Sequence, residues 1–85
     1  SLHDALPILS TMDNDLFDYI VSLLVRNAND SIEECRESKH DSFEEGRKQA
    51  YYEVLDTIKN QLIVAEYNLE DCGLDFNLEE KYFPD

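Results

Sequence analysis

Residues 42–72 read SFEEGRKQAYYEVLDTIKNQLIVAEYNLEDC, and the reading of this stretch decides the fold. Ser42 is a good helix N-cap, and Glu45 three residues on completes an S-x-x-E capping box, with Asp41 as a competing cap. After Gly46 the chain has neither Gly nor Pro until Gly73. Tyr51, Ile58, Ala65 and Cys72 recur every seven residues, and so do Leu55, Leu62 and Leu69. Such a seam packs one helix along another. The expected element is one long helix over 42–72, stopped at Gly73, with Leu74 folding back onto the last turn. A thinner row, Tyr52, Ile63 and Tyr67 with Val64, lies off the seam and is expected to form a second contact surface, an oligomer interface.

Toward the N-terminus, Asp13 or Asn14 caps a helix expected over 14–39, with acids in its first turn. Its stripe is Phe17, Ile20, Val21, Leu24, Ala28, Ile32 and Cys35. The break Lys39-His40-Asp41-Ser42 is short, which makes the two helices antiparallel neighbours. Toward the C-terminus, Asn77 with Glu80 repeats the capping pattern and Pro84 ends it, giving a short helix over 77–83. Phe76, Leu78, Tyr82 and Phe83 allow that helix to fold back, and it is expected to dock at the open end of the hairpin. The fold class is therefore all-α: an antiparallel helical hairpin plus a short C-terminal helix in a single domain over 12–85. The wide apolar arcs favour a homodimer that pairs hairpins into a four-helix bundle.

Twenty acids against seven bases give a formal charge of −13, which repels nucleic acid and anionic membrane and selects basic protein surfaces as partners. No apolar run is long enough to cross a membrane, and a cytoplasmic location is expected. Cys35 and Cys72 lie far apart at stripe positions without metal-ligand spacing; they read as buried thiols in a reducing compartment. Neither a cofactor nor a metal is expected.

Charge is unevenly placed. The tip, residues 33–48, mixes six acids with four bases. The open end gathers Asp13, Asp15, Asp18, Glu66, Glu70, Asp71, Asp75, Glu79, Glu80 and Asp85 against Lys81 alone. Regularly placed carboxylates on a rigid helix offer a basic channel the attraction it finds in phosphates, so these acids, Asp85 apart, are the expected partner-binding site.

Two stretches resemble catalytic patterns. Glu33-Glu34-x-x-Glu37 followed by Glu53-x-x-Asp56 is similar to the EExxE…ExxD pattern of MazG-type nucleotide pyrophosphohydrolases. That resemblance implies magnesium held by Glu34, Glu37, Glu53 and Asp56. Glu53 and Asp56 lie off the seam, however, and Glu53 stands about 16 Å along its helix from the turn beside Glu37. His40-Asp41 resembles the dyad of HD-type phosphohydrolases, which need further histidines; His40 reads as a loop histidine beside a cap.

The stretch FEEGRKQAYYEVLDTIKNQL resembles short acidic α-helical proteins of Firmicutes phages and mobile elements, a style shared across roughly residues 12–83. The resemblance implies an anti-CRISPR or other anti-defence inhibitor that binds a host defence nuclease or another nucleic-acid-binding protein stoichiometrically, without enzymatic activity. The alternatives are the pyrophosphohydrolase, an oligomer that sequesters a nucleotide signal, and an antitoxin-like partner. Residues 1–8, SLHDALPI, resemble a translated sequencing adapter. On that reading residues 1–11 stand outside the fold and the natural chain starts at Met12.

Overall fold

The computed structural model describes residues 14–84. Helix α1 spans Asn14–Glu37 and helix α2 spans Ser42–Val64. A 3-10 turn, Leu69–Cys72, and a short helix α3, Leu78–Tyr82, follow. The described residues contain no strand, and the all-α hairpin with a short C-terminal helix is the fold observed. Asp13, Asp85 and the adapter-like segment lie outside the described residues.

In α1 the heptad positions Val21, Ala28 and Cys35 are buried, with Phe17, Leu24, Val25 and Ile32 packed beside them or against the same core. Ile20, expected in the stripe, is exposed instead. Ser31 is fully buried between these positions, and its hydroxyl donates to the Ala28 carbonyl at 2.6 Å, which satisfies it locally. Small side chains at Ala28 and Ser31 leave room for the facing helix, whose Leu55 is fully buried in the same core.

The tip corrects the expected capping. Asp41, not Ser42, is the N-cap of α2: its carboxylate accepts the N–H groups of Phe43 at 2.7 Å and Glu44 at 3.4 Å. Ser42 is the first helical residue, and Glu45 is turned to another use. Helix α1 ends at Glu37, two residues early, because Lys39 and His40 both adopt left-handed backbone (φ 58° and 63°). That geometry brings the His40 N–H onto the Cys35 carbonyl at 2.9 Å.

A larger correction falls on the opening stretch. The helix expected to reach Cys72 stops at Val64, where Glu66 is left-handed (φ 59°) and the Tyr67 N–H closes onto the Leu62 carbonyl at 2.9 Å. The two helices are of nearly equal length, 24 and 23 residues. Continuing α2 through Cys72 would carry it about 12 Å further, past the N-terminal end of α1 and without a described partner for its seam. Turning back instead buries Cys72, which the straight helix would have left without cover. The expected stop at Gly73 does occur, but it ends the 3-10 turn: Gly73 is left-handed (φ 83°), and the Leu74 N–H bonds the Leu69 carbonyl at 3.0 Å.

Half of the buried apolar side chains, Cys72, Leu74, Leu78 and Tyr82, come from this C-terminal segment, so it is part of the core and not an appendage. Asn77 caps α3 as expected, accepting the Glu80 N–H at 3.0 Å. The docking place differs from expectation. Lys59 donates to the Phe76 carbonyl at 2.5 Å, Tyr52 to Glu79 at 2.9 Å, and Lys48 lies over the Phe83 ring at 5.2 Å. The segment thus runs back along α2 toward the tip. The 3-10 turn, packed on α1, occupies the open end in its place.

Candidate functional site

At the open end the left-handed stop at Glu66 throws Tyr67 across the hairpin. Its ring meets Phe17 edge-on, with centroids 5.6 Å apart and planes at 72°. Its hydroxyl donates to the Asp18 carboxylate. This hydrogen bond, with burial, pushes the Tyr67 phenol up to about 12. Asn68 caps the 3-10 turn through the Glu70 N–H at 3.1 Å and donates its amide to Asp71 at 3.3 Å. Asp18 and Asp71 are therefore held by neutral donors. Together with Asp15, Tyr19 and Ser22 they line a shallow concavity of about 430 Å³.

The expected acidic surface is thereby split. Asp15, Asp18 and Asp71 come together in that concavity. Glu66 and Asp75 are exposed on the chain that leads to and from the 3-10 turn, and Glu70 is exposed within it. Glu79 and Glu80 do not belong to this end, because α3 lies beside Tyr52. From there to Val64 the helix runs twelve residues, about 18 Å. Asp13 lies outside the described residues.

The row expected at an oligomer interface is largely consumed within the chain. Tyr52 bonds Glu79 and packs against Tyr82 and, edge-on, Phe83. Tyr67 serves Asp18, and only Ile63 and Val64 remain exposed. The apolar concavity left open lies on the opposite flank of α2, where Leu24, Ala50, Tyr51, Val54 and Arg47 meet.

The four carboxylates of the pyrophosphohydrolase pattern are not brought together. Glu34 takes the Arg47 guanidinium at 2.6 Å, Glu53 accepts Gln49 at 3.4 Å, and Asp56 accepts Asn60 at 3.4 Å. Glu37 ends α1 on the exposed surface.

The group of metal-ligand type that the described residues do assemble is at the tip: Cys35, His40 and Glu45. The Cys35 thiol donates to Glu45 Oε1 at 3.0 Å, and His40 Nδ1 lies 2.7 Å from the same oxygen and 3.5 Å from Cys35 Sγ. Two donors hold the Glu45 carboxyl down at about 2, the thiol contributing most and the imidazole next. The same hydrogen bond, with burial, pushes the Cys35 thiol up. One imidazole nitrogen faces both partners, and the hydrogen bond to Glu45 favours the protonated thiol. By sequence alone Cys35 reads as core, His40 as loop and Glu45 as part of a cap. The equal C-x4-H-x4-E spacing across a helix break was the signal that could have joined them.

Cys35 and Cys72 are buried free thiols, one at each end of the hairpin. Among the described residues no helix is long and apolar enough to cross a membrane. No family model matches the chain, and no match was found among curated proteins or solved structures.

Proposed function

We propose that this chain is a small acidic inhibitor that binds the basic surface of a nucleic-acid-binding protein, such as a host defence nuclease, in place of nucleic acid. The supporting observation is the convergence of Asp15, Asp18 and Asp71 around one concavity beside the exposed ring of Tyr19. Residues 13–18 and 66–75 contain no Lys or Arg, and the groups that hold Asp18 and Asp71, a phenol and an amide, are neutral. Asp18 and Asp71 are also pre-positioned by Tyr67 and Asn68, which lowers the ordering cost of a charged contact. A basic groove built for phosphates gains both charge complementarity and a ring to pack against. The phage and mobile-element resemblance points the same way: to an anti-defence inhibitor acting by occupancy, not by catalysis.

The test is capture with the full chain as bait at low and higher salt, followed by competition with duplex DNA and single-stranded RNA. Expected is retention of a nucleic-acid-binding protein that is shed between roughly 50 and 200 mM salt and displaced by its own nucleic acid. The double variant Asp15→Lys, Asp71→Lys should lose that retention while keeping its helical circular dichroism. Retention that survives the double variant, or that ignores competing nucleic acid, would overturn the reading.

A further inference from the structure

We infer that Cys35, His40 and Glu45 form a binding site for a thiophilic divalent cation, Zn2+ being the ion whose chemistry fits best. The three donor atoms lie 2.7, 3.0 and 3.5 Å from one another. Around a tetrahedral Zn2+ with ordinary bond lengths, sulfur would stand about 3.6 Å from nitrogen or oxygen, and nitrogen about 3.4 Å from oxygen. The sulfur-nitrogen edge already matches. The two edges to Glu45 must open by roughly 0.6–0.7 Å, an adjustment that the torsions of His40 and Glu45 can make around the buried Cys35. His40 is 63% exposed and Glu45 42% exposed, so both are free to make it.

The backbone that presents the donors is fixed independently of them. The left-handed pair Lys39 and His40 closes α1, with the His40 N–H on the Cys35 carbonyl. The Ser38 hydroxyl donates to the Cys35 carbonyl at 2.9 Å and accepts the Asp41 N–H at 3.2 Å. Asp41 then caps α2 and sets Glu45 one turn in, its N–H on the Asp41 carbonyl at 2.9 Å. A site carried on a helix end, a locked turn and a helix start needs little reorganisation to accept an ion.

Binding replaces the thiol proton: the S–H bond breaks, the sulfur pair bonds the metal, and the proton leaves to solvent. His40 Nδ1 coordinates as neutral imidazole, with its proton on Nε2. Glu45 exchanges two hydrogen-bond donors for one metal bond, and a fourth position remains for water. Charge selects the ion. Thiolate and carboxylate cancel a divalent cation, while Lys48, 3.6 Å from Glu45 Oε1, adds a positive charge that disfavours weak, purely electrostatic binding. Thiolate and imidazole prefer Zn2+ or Co2+, whereas Mg2+ and Ca2+ want oxygen.

The experiment titrates the reduced full chain with Co2+ as a spectroscopic probe of Zn2+ sites. Expected is one equivalent bound, with a thiolate-to-cobalt charge-transfer band and the strong ligand-field absorption of four-coordination, displaced by Zn2+ and unaffected by excess Mg2+. Cys35→Ser should abolish the charge-transfer band, and Cys72→Ser should leave it intact. His40→Ala, a change at an exposed loop residue, should weaken affinity by roughly 10-fold or more. Zn2+ should raise the unfolding midpoint of the wild type and not of His40→Ala. Cobalt bound without a thiolate band means adventitious ions on an acidic surface, and it overturns the site. So does a band that survives Cys35→Ser, or an affinity indifferent to His40→Ala.

Discussion

At the hairpin tip Glu33 meets Arg36, Glu34 meets Arg47, and Glu45 meets both His40 and Lys48. At the open end Asp18 meets the neutral hydroxyl of Tyr67, and Asp71 the neutral amide of Asn68. Both ends are rich in carboxylates, yet several at the tip face Arg, Lys or His, while Asp18 and Asp71 at the open end are held by neutral groups. Carboxylates held by neutral groups keep their charge, and on the proposed reading that charge is what a basic partner would meet. The tip's charges are instead turned inward on a locked turn. On the two proposals above, the difference separates an end that would recognise a partner from an end that closes the hairpin and would offer a metal its donors.

The comparison can be broken most directly at the apolar layer beneath the open end. Leu74 is fully buried, and Leu74→Ala should cost about 2–5 kcal/mol in chemical denaturation. A loss below about 1 kcal/mol would mean that the C-terminal segment does not hold this end.

A smaller effect concerns the stop that creates it. Glu66 pays the left-handed penalty of a side chain at φ 59°, so Glu66→Gly should stabilise the fold by up to about 1 kcal/mol. Destabilisation would mean that the Glu66 side chain makes a contribution larger than its backbone strain.

The finest test uses alkali. The Tyr67 phenol titrates near 12 in the folded chain, against about 10 when unfolded. Its hydrogen bond to Asp18 therefore contributes fully below pH about 10. Between about 10 and 12 the unfolded state sheds its proton first, so stability falls as pH rises. The denaturation midpoint of the wild type should drop more steeply across that window than that of Tyr67→Phe. Parallel curves would remove Tyr67 from the account of how Asp18 is held.

These effects divide between what was legible in the chain and what was not. The two long helices and their antiparallel pairing, the left-handed Gly73, the buried Leu74 and the Asn77 cap were all readable, because each rests on contacts within a few residues. Heptad spacing placed Val21, Ala28, Cys35 and Leu55 in the core for the same reason. Asp15, Asp18 and Asp71 were readable as acids of one end, but not as neighbours of one concavity.

What the chain by itself determined is therefore the periodic and the local: helix faces, the Asn77 cap, and the sign of the charge at the open end. Tertiary structure decided where α2 stops, since Glu66 carries no breaker signal and the end of α1 sets the useful length of its partner. It also decided that the C-terminal segment lies along α2, drawing Tyr52 and Tyr67 into the chain's own packing and parting Glu79 and Glu80 from the other acids. And it decided that Cys35, His40 and Glu45 meet, through two consecutive left-handed residues that no Gly announces. Short-range hydrogen bonds and side-chain periodicity are written residue by residue; the choice among closures that satisfy them equally is made by which one buries the remaining apolar surface.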